Sequence, residues 1–187
     1  GPPIRIIYAG TGYDGQKFGQ IVFPWGGMGA RPNQDGLSCT PFPSNSGCGS
    51  FEAIESISPL LIWQRMMIPD SGGAGRFRGG LGQEIVIELV SRDQARVSIL
   101  SERLRHPPIG LLGGQPGAPA GLQLNRGDPL PPKGRTVFQP GAVVRLRYAG
   151  GGGYGPPRER DRARILEDLK NELITPEAAR STYGLED

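Results

Sequence analysis

Two arginines one residue apart, Arg76 and Arg78, stand in the fourteen-residue stretch Pro69–Gly82, PDSGGAGRFRGGLG, in which six positions are glycine. Alternate residues of an extended chain face the same way, so both guanidinium groups are predicted to leave from one face, with Phe77 on the other. A planar, permanently charged fork suits carboxylate and phosphate oxygens, and glycine N–H groups in a shaped loop supply further donors. The chemistry expected here is recognition of an anion. A second glycine-containing loop, GGMGARPNQDG at Gly26–Gly36, adds two charged members, Arg31 and Asp35. These four residues are the candidate substrate-binding set. The competing readings are a long turn with two solvated arginines, and an Arg31–Asp35 pair that satisfies itself.

Other chemistry-bearing residues are sparse. Glu52 and Glu55 of FEAIESI share a face if the segment is helical and oppose each other if it is extended; paired carboxylates can do acid–base work, though a solvated edge accounts for them as well. His106 is the sole histidine, so no triad or metal cluster can draw on several. Cys39 and Cys48 could bridge; with His106 they fall one short of the four Cys or His ligands of a structural zinc site. No catalytic residue and no metal ligand is assigned. GTGYDG at Gly10–Gly15 formally matches a dinucleotide fingerprint, with Asp35 twenty residues beyond it. That fingerprint requires a helix to open at its last glycine. Gln16–Trp25 (QKFGQIVFPW) is β-like and carries Gly19 and Pro24, so Asp14-Gly15 reads instead as a hairpin turn.

The elements that must position these residues are mostly strands. Ile4–Ala9, Gln16–Trp25, Leu60–Ile68, Gln83–Val90, Ala95–Glu102, Leu122–Leu124, Arg135–Phe138 and Ala142–Tyr148 are short apolar or alternating runs bounded by Gly, Pro or Asp. Gln83–Val90 and Ala95–Glu102 are predicted to form a hairpin across Ser91–Gln94, and Met66 and Met67 to lie in the core. Gly26–Ser50 is a long loop, a kind that is usually functional or mobile. The 31 glycines and 19 prolines, about a quarter of the 187 residues, fit a loop-rich β domain. The only strong helical pattern lies at the end. Asp161 is its N-cap, Ile165, Leu166, Leu169 and Leu173 its apolar positions, and Arg164 can pair with Asp168 one turn on. Thr175-Pro176 starts a second short helix and Gly184 stops it. The expected architecture is therefore mainly β: a glycine-rich-loop antiparallel β domain, sandwich or barrel-like, over residues 1–155, with a short C-terminal helical hairpin over 156–187. A net charge of +3 is too mild to argue for nucleic acid or an anionic membrane, and no apolar run approaches the roughly 20 residues of a membrane span. Sparse cysteine and no recognisable leader lead to an expected cytoplasmic location.

Beyond these physical readings, the chain resembles the hydantoinase B/5-oxoprolinase family, the B subunits of ATP-dependent hydantoinases, whose relatives include acetone and acetophenone carboxylase subunits. The resemblance is carried by GGMGARPNQDG (Gly26–Gly36), FEAIES (Phe51–Ser56), PDSGGAGRFRGGLG (Pro69–Gly82), GGQPGAP (Gly113–Pro119), GGGGYGPPRERD (Gly150–Asp161) and ILEDLKNELITPEAARSTYG in the tail. Pro156 departs from the Asp usual in that motif. The resemblance implies that this is the C-terminal part of a longer subunit, inactive by itself and working in a cytoplasmic hetero-oligomer with the N-terminal half of the B subunit and a hydantoinase A-type ATP-binding subunit. It implies that the A subunit, with ATP and Mg, phosphorylates the carbonyl oxygen of a cyclic amide or a ketone. The B subunit then completes hydrolysis or carboxylation. Any divalent metal would belong to the earlier part of that subunit, with no cofactor held by this segment. Arg31, Asp35, Arg76 and Arg78 would help bind the phosphorylated or anionic intermediate. The alternatives are a ketone carboxylase subunit and a purely structural assembly domain.

Overall fold

The computed structural model describes residues 4–12, 14–41, 49–125 and 127–186. Exposed and buried residues alternate along β1 (Arg5–Thr11), which buries Ile6 and Tyr8 and exposes Arg5 and Ile7. It pairs antiparallel with β2 (Lys17–Val22) across the Asp14-Gly15 turn, where Gly15 takes a φ of 77°. On its other edge it pairs with β5 (Ala95–Leu100), and β5 with β8 (Lys133–Phe138), giving a four-stranded sheet of order β2-β1-β5-β8. The second sheet has the order β3-β4-β9-β6-β7, built from β3 (Leu60–Met67), β4 (Gln83–Leu89), β9 (Val143–Arg147), β6 (Gly121–Leu124) and the two-residue β7 (Asp128–Pro129).

Each sheet turns one apolar face to the other. Ile6, Tyr8, Val97, Ile99 and Phe138 of the first meet Leu60, Ile85, Ile87, Val144 and Leu146 of the second in one buried cluster. The molecule is thus the open-sandwich form of the expected antiparallel β domain, not a closed barrel. At its centre the Tyr8 and Phe138 rings meet edge to face, with centroids 6.1 Å apart. Burial pushes the Tyr8 hydroxyl well above the ordinary tyrosine range.

Two local expectations are corrected and one open alternative is resolved. Gln83–Val90 and Ala95–Glu102 do not form a hairpin: β4 pairs with β3 and β9, whereas β5 pairs with β1 and β8. The short Ser91–Gln94 connection carries the chain from one sheet to the other. The Gln139-Pro140-Gly141 turn does the same between β8 and β9, with Gly141 at a φ of 78°. Met66 and Met67 are each 45% exposed, because β3 is the edge strand of its sheet. The segment whose conformation was open is a helix, α1 (Phe51–Ile57), capped by Ser50, whose hydroxyl accepts the Ala53 N–H.

The tail is helical as expected. After a 3-10 turn at Pro157–Glu159, Asp161 caps α2 (Arg162–Lys170) and Thr175 caps α3 (Pro176–Ser181). Ile165, Ile174, Ala179 and Tyr183 close over Ala74 of the glycine-rich stretch in a small second cluster. Leu166, assigned to the apolar face, is instead 47% exposed, and the side chain buried in its place is Asp168.

Candidate functional site

The glycine-rich stretches converge into one layer at the end of the sandwich where the tail sits. Gly27 N–H donates to the Ala149 carbonyl, Ala30 to Gly152, Gly73 to Gly151, Gly151 to Gly80, Gly80 to Met28 and Leu111 to Gly153, at 2.8–2.9 Å. These bonds join chain segments that belong to neither sheet, so backbone polar groups that burial would orphan are paired across loops. The layer has no room for side chains. A Cβ at Gly151 would fall on the Met28 carbonyl oxygen, and one at Gly27 on that of Gly80. Neither glycine takes a left-handed φ; absence of a side chain, not conformational freedom, selects glycine here, as at the axis of collagen.

The RFR segment crosses the rim of this layer. Phe77 pairs with Tyr154 through two backbone hydrogen bonds of 3.0 and 2.9 Å, and Arg76 N–H donates to Gly155 at 3.2 Å. The two arginines do not face the same way. Arg76 is exposed, and its guanidinium lies 5.7 Å from the centroid of the Phe77 ring. Arg78 is 5% exposed and runs under the tail. Its Nε and Nη2 donate to the two oxygens of Asp168 at 3.1 and 3.2 Å, and its Nη1 to the Gly79 carbonyl at 2.8 Å. The expectation of two forks on one face is therefore corrected; the bridge to Tyr154 and the docked helix separate them.

Asp168 also accepts Arg160 Nη2 at 2.7 Å, and Arg160 grips both oxygens of Asp35 at 2.8 and 2.9 Å. Asp35 further accepts the Arg78 backbone N–H at 2.7 Å and the outlying Arg164 at 3.5 Å. The result is an alternating chain, Arg78–Asp168–Arg160–Asp35, two cations and two anions, linking the Gly26–Gly36 loop, the Pro69–Gly82 stretch and the tail. Arg164, expected to pair with Asp168, reaches Asp35 instead because Asp168 is already engaged. Burial alone would raise the Asp35 carboxyl, but the hydrogen bond and charge of Arg160, with Arg78 beside it, outweigh that and hold it below the usual range. For Arg160, burial works against the charge, and Asp35 and Asp168 more than restore it, so its net shift is upward. Tyr183, whose ring lies 5.9 Å from the Arg160 guanidinium, has its hydroxyl pushed up to about 12, mainly by burial.

Arg31, the remaining candidate, is exposed on a turn in which its own N–H bonds to Gln34 at 3.0 Å; Asp35, its alternative partner, is taken by Arg160. His106 is exposed, and Cys48 lies outside the described residues. Among the described residues no three His, Cys, Asp or Glu side chains gather where they could hold a metal ion. Sequence reasoning missed Arg160 and, as a buried partner, Asp168. One signal was present: Asp168 follows Ile165 by three, on the face of α2 that must be buried.

Comparison with known proteins bears on the same loops. A family model described as hydantoinase B/oxoprolinase matches residues 4–157. The chain belongs to that family. An uncharacterized protein of Methanocaldococcus jannaschii is 37% identical over 135 residues, 71% of this chain and 24% of that protein. The caprolactamase subunit beta of Pseudomonas jessenii is 32% identical over 170 residues, 85% of this chain and 29% of that subunit. The crystal structure of the ATP-dependent caprolactamase from the same organism superposes with a TM-score of 0.81 at 27% identity, over 98% of this chain and 34% of that one. Acetone carboxylase shares the fold, with a TM-score of 0.76 at 20% identity over 98% of this chain and 29% of that one. The chain spans between about an eighth and three tenths of the length of the curated relatives it matches first. Its tail beyond residue 157 lies outside the family match, yet it supplies half of the ion-pair chain.

Proposed function

We propose that this chain is the C-terminal part of the B subunit of an ATP-dependent cyclic amide hydrolase, acting in a hetero-oligomer with an A-type ATP-binding subunit. The likeness to caprolactamase subunit beta over 85% of the chain supports this reading, and a lactam, hydantoin or 5-oxoproline ring is the substrate class. In such an enzyme the A subunit, with ATP and Mg, would activate the ring carbonyl by phosphorylation. The groups needed on this side are those that hold negative charge as water attacks.

The four candidates then divide by role. Asp35 and Arg78 are positioning residues: their polar groups are spent within the ion-pair chain that fixes the loops. Arg76 is the member of the pair left with its fork toward solvent. It shares the Phe77 ring with Arg164, whose guanidinium lies 5.5 Å from the same centroid. Two guanidinium groups braced on one ring form a preorganised patch for an anionic intermediate, with Arg31 as a further exposed cation. The observation that carries this assignment is the opposite employment of Arg76 and Arg78.

The test is coupled ATP hydrolysis and ring opening by the complete A–B complex. Arg76→Ala is expected to lower turnover by about tenfold or more, the scale of one lost charged contact, with assembly by size-exclusion chromatography unchanged. Unchanged turnover in an assembled Arg76→Ala complex would remove the anion-binding role and leave this region as an assembly element.

A further inference from the structure

We propose a second oxyanion site, separate from the ion-pair chain, in a cleft of about 920 Å³ between the end of β5 and the Glu102–His106 turn. One wall is strand backbone: Ser101 N–H donates to the Pro132 carbonyl at 2.8 Å, and Leu100 pairs in register with Lys133. The other wall is a turn held from two sides. Ala120 N–H donates to the Arg103 carbonyl at 3.0 Å, and Leu104 packs against the sandwich core. Arg103 is held at a φ of 65°, a conformation that a long side chain adopts only where its surroundings enforce it.

The charges around this cleft do not cancel. Arg103, Arg105 and Lys133 line it against a single carboxylate, Glu102. Lys133 lies 2.6 Å from Glu102, and its hydrogen bond and charge hold that carboxyl below its usual range. Among the described residues no carboxylate lies within ion-pair distance of Arg103 or Arg105, and His106 stands next to them. A concave surface focuses such a surplus. Two guanidinium groups, of which, among the described residues, Arg103 donates only to the His106 carbonyl at 3.5 Å, and an imidazole around one cleft suit a small phosphate-bearing oxyanion. The site uses none of the residues assigned to the anion patch at Phe77, so it stands or falls independently of that patch.

The sole histidine makes the test clean, since His106 gives a single imidazole Cε1–H signal in a ¹H–¹³C spectrum of the full chain. Inorganic phosphate and succinate are titrated separately at fixed pH, with sodium chloride matching ionic strength. The expected result is a saturable shift of the His106 signal by phosphate, weakened about tenfold by Arg105→Ala, the loss of one charge-assisted contact. Arg103→Gly, which keeps the left-handed backbone, should weaken binding likewise, and Arg96→Ala, on the outer face of the four-stranded sheet, should leave it unchanged. A linear response, an equal response to chloride, or unweakened binding in Arg105→Ala would overturn the site. Saturation by succinate alone would overturn its assignment to phosphate.

Discussion

The sandwich core and the glycine layer lie in one small molecule and are held together by opposite means. Between the sheets, Ile6, Ile87, Val97 and Leu146 are almost fully buried, and stability there comes from apolar area removed from water. In the layer, Gly27, Gly80 and Gly151 have no side chain to bury, and backbone N–H and carbonyl groups of four separate loops satisfy one another. A core of the first kind adapts to changes of side-chain shape. A layer of the second kind has nothing to repack, because every neighbour of a glycine is another backbone. The chain closes it with charge, the Arg78–Asp168–Arg160–Asp35 series under the helical tail.

The largest expected effect breaks the layer directly. Gly151→Ala sets a methyl group onto the Met28 carbonyl and should cost more than about 4 kcal/mol, at the far end of single-substitution effects. Ile87→Val in the core should cost about 0.5–1.5 kcal/mol. Gly19→Ala on β2, where a Cβ meets open space, should be neutral or stabilising by up to about 1 kcal/mol. Urea unfolding of the three variants checks the ordering; comparable losses for Gly151→Ala and Ile87→Val would erase the distinction between the two regions.

A smaller effect concerns acid. Because the Asp35 carboxyl is held below its ordinary value, its contribution to stability is complete above that ordinary value of about 3.9 and is lost as pH falls through the lower folded one. The stability difference between the parent chain and Asp35→Asn should therefore be constant from pH 7 to about 5 and shrink below about pH 4. Urea midpoints across that range measure it, and a difference that stayed constant down to pH 2 would contradict the pairing.

Much of this was legible in the sequence, for reasons that particular residues make plain. The short apolar, β-branched run IRIIYA and the run ARVSIL marked strands, Asp14-Gly15 marked a turn, and Asp161 and Thr175 marked helix starts. The density of glycine around Arg76 marked a loop of definite shape. Partnership across the sandwich was not legible. Ser91–Gln94 has the length of a hairpin loop, and nothing local tells a hairpin from a crossing between sheets. Strand β4 hid its outer face for a related reason: Glu84 is 4% exposed because Arg145 and Arg147 of β9 cover it. The different employments of Arg76 and Arg78 depend on Asp168, ninety residues away. A spacing of two fixes relative direction only in an undisturbed extended chain.

The separation of those two arginines is what the account most depends on, and urea unfolding of Arg78→Ala beside Arg76→Ala tests it most directly. Arg78→Ala leaves the buried Asp168 with Arg160 as its one remaining charged partner and should lose about 3 kcal/mol, whereas Arg76→Ala, exposed and without a carboxylate partner among the described residues, should stay within about 0.5 kcal/mol of the parent chain. Equal losses, or a larger one for Arg76→Ala, would contradict it.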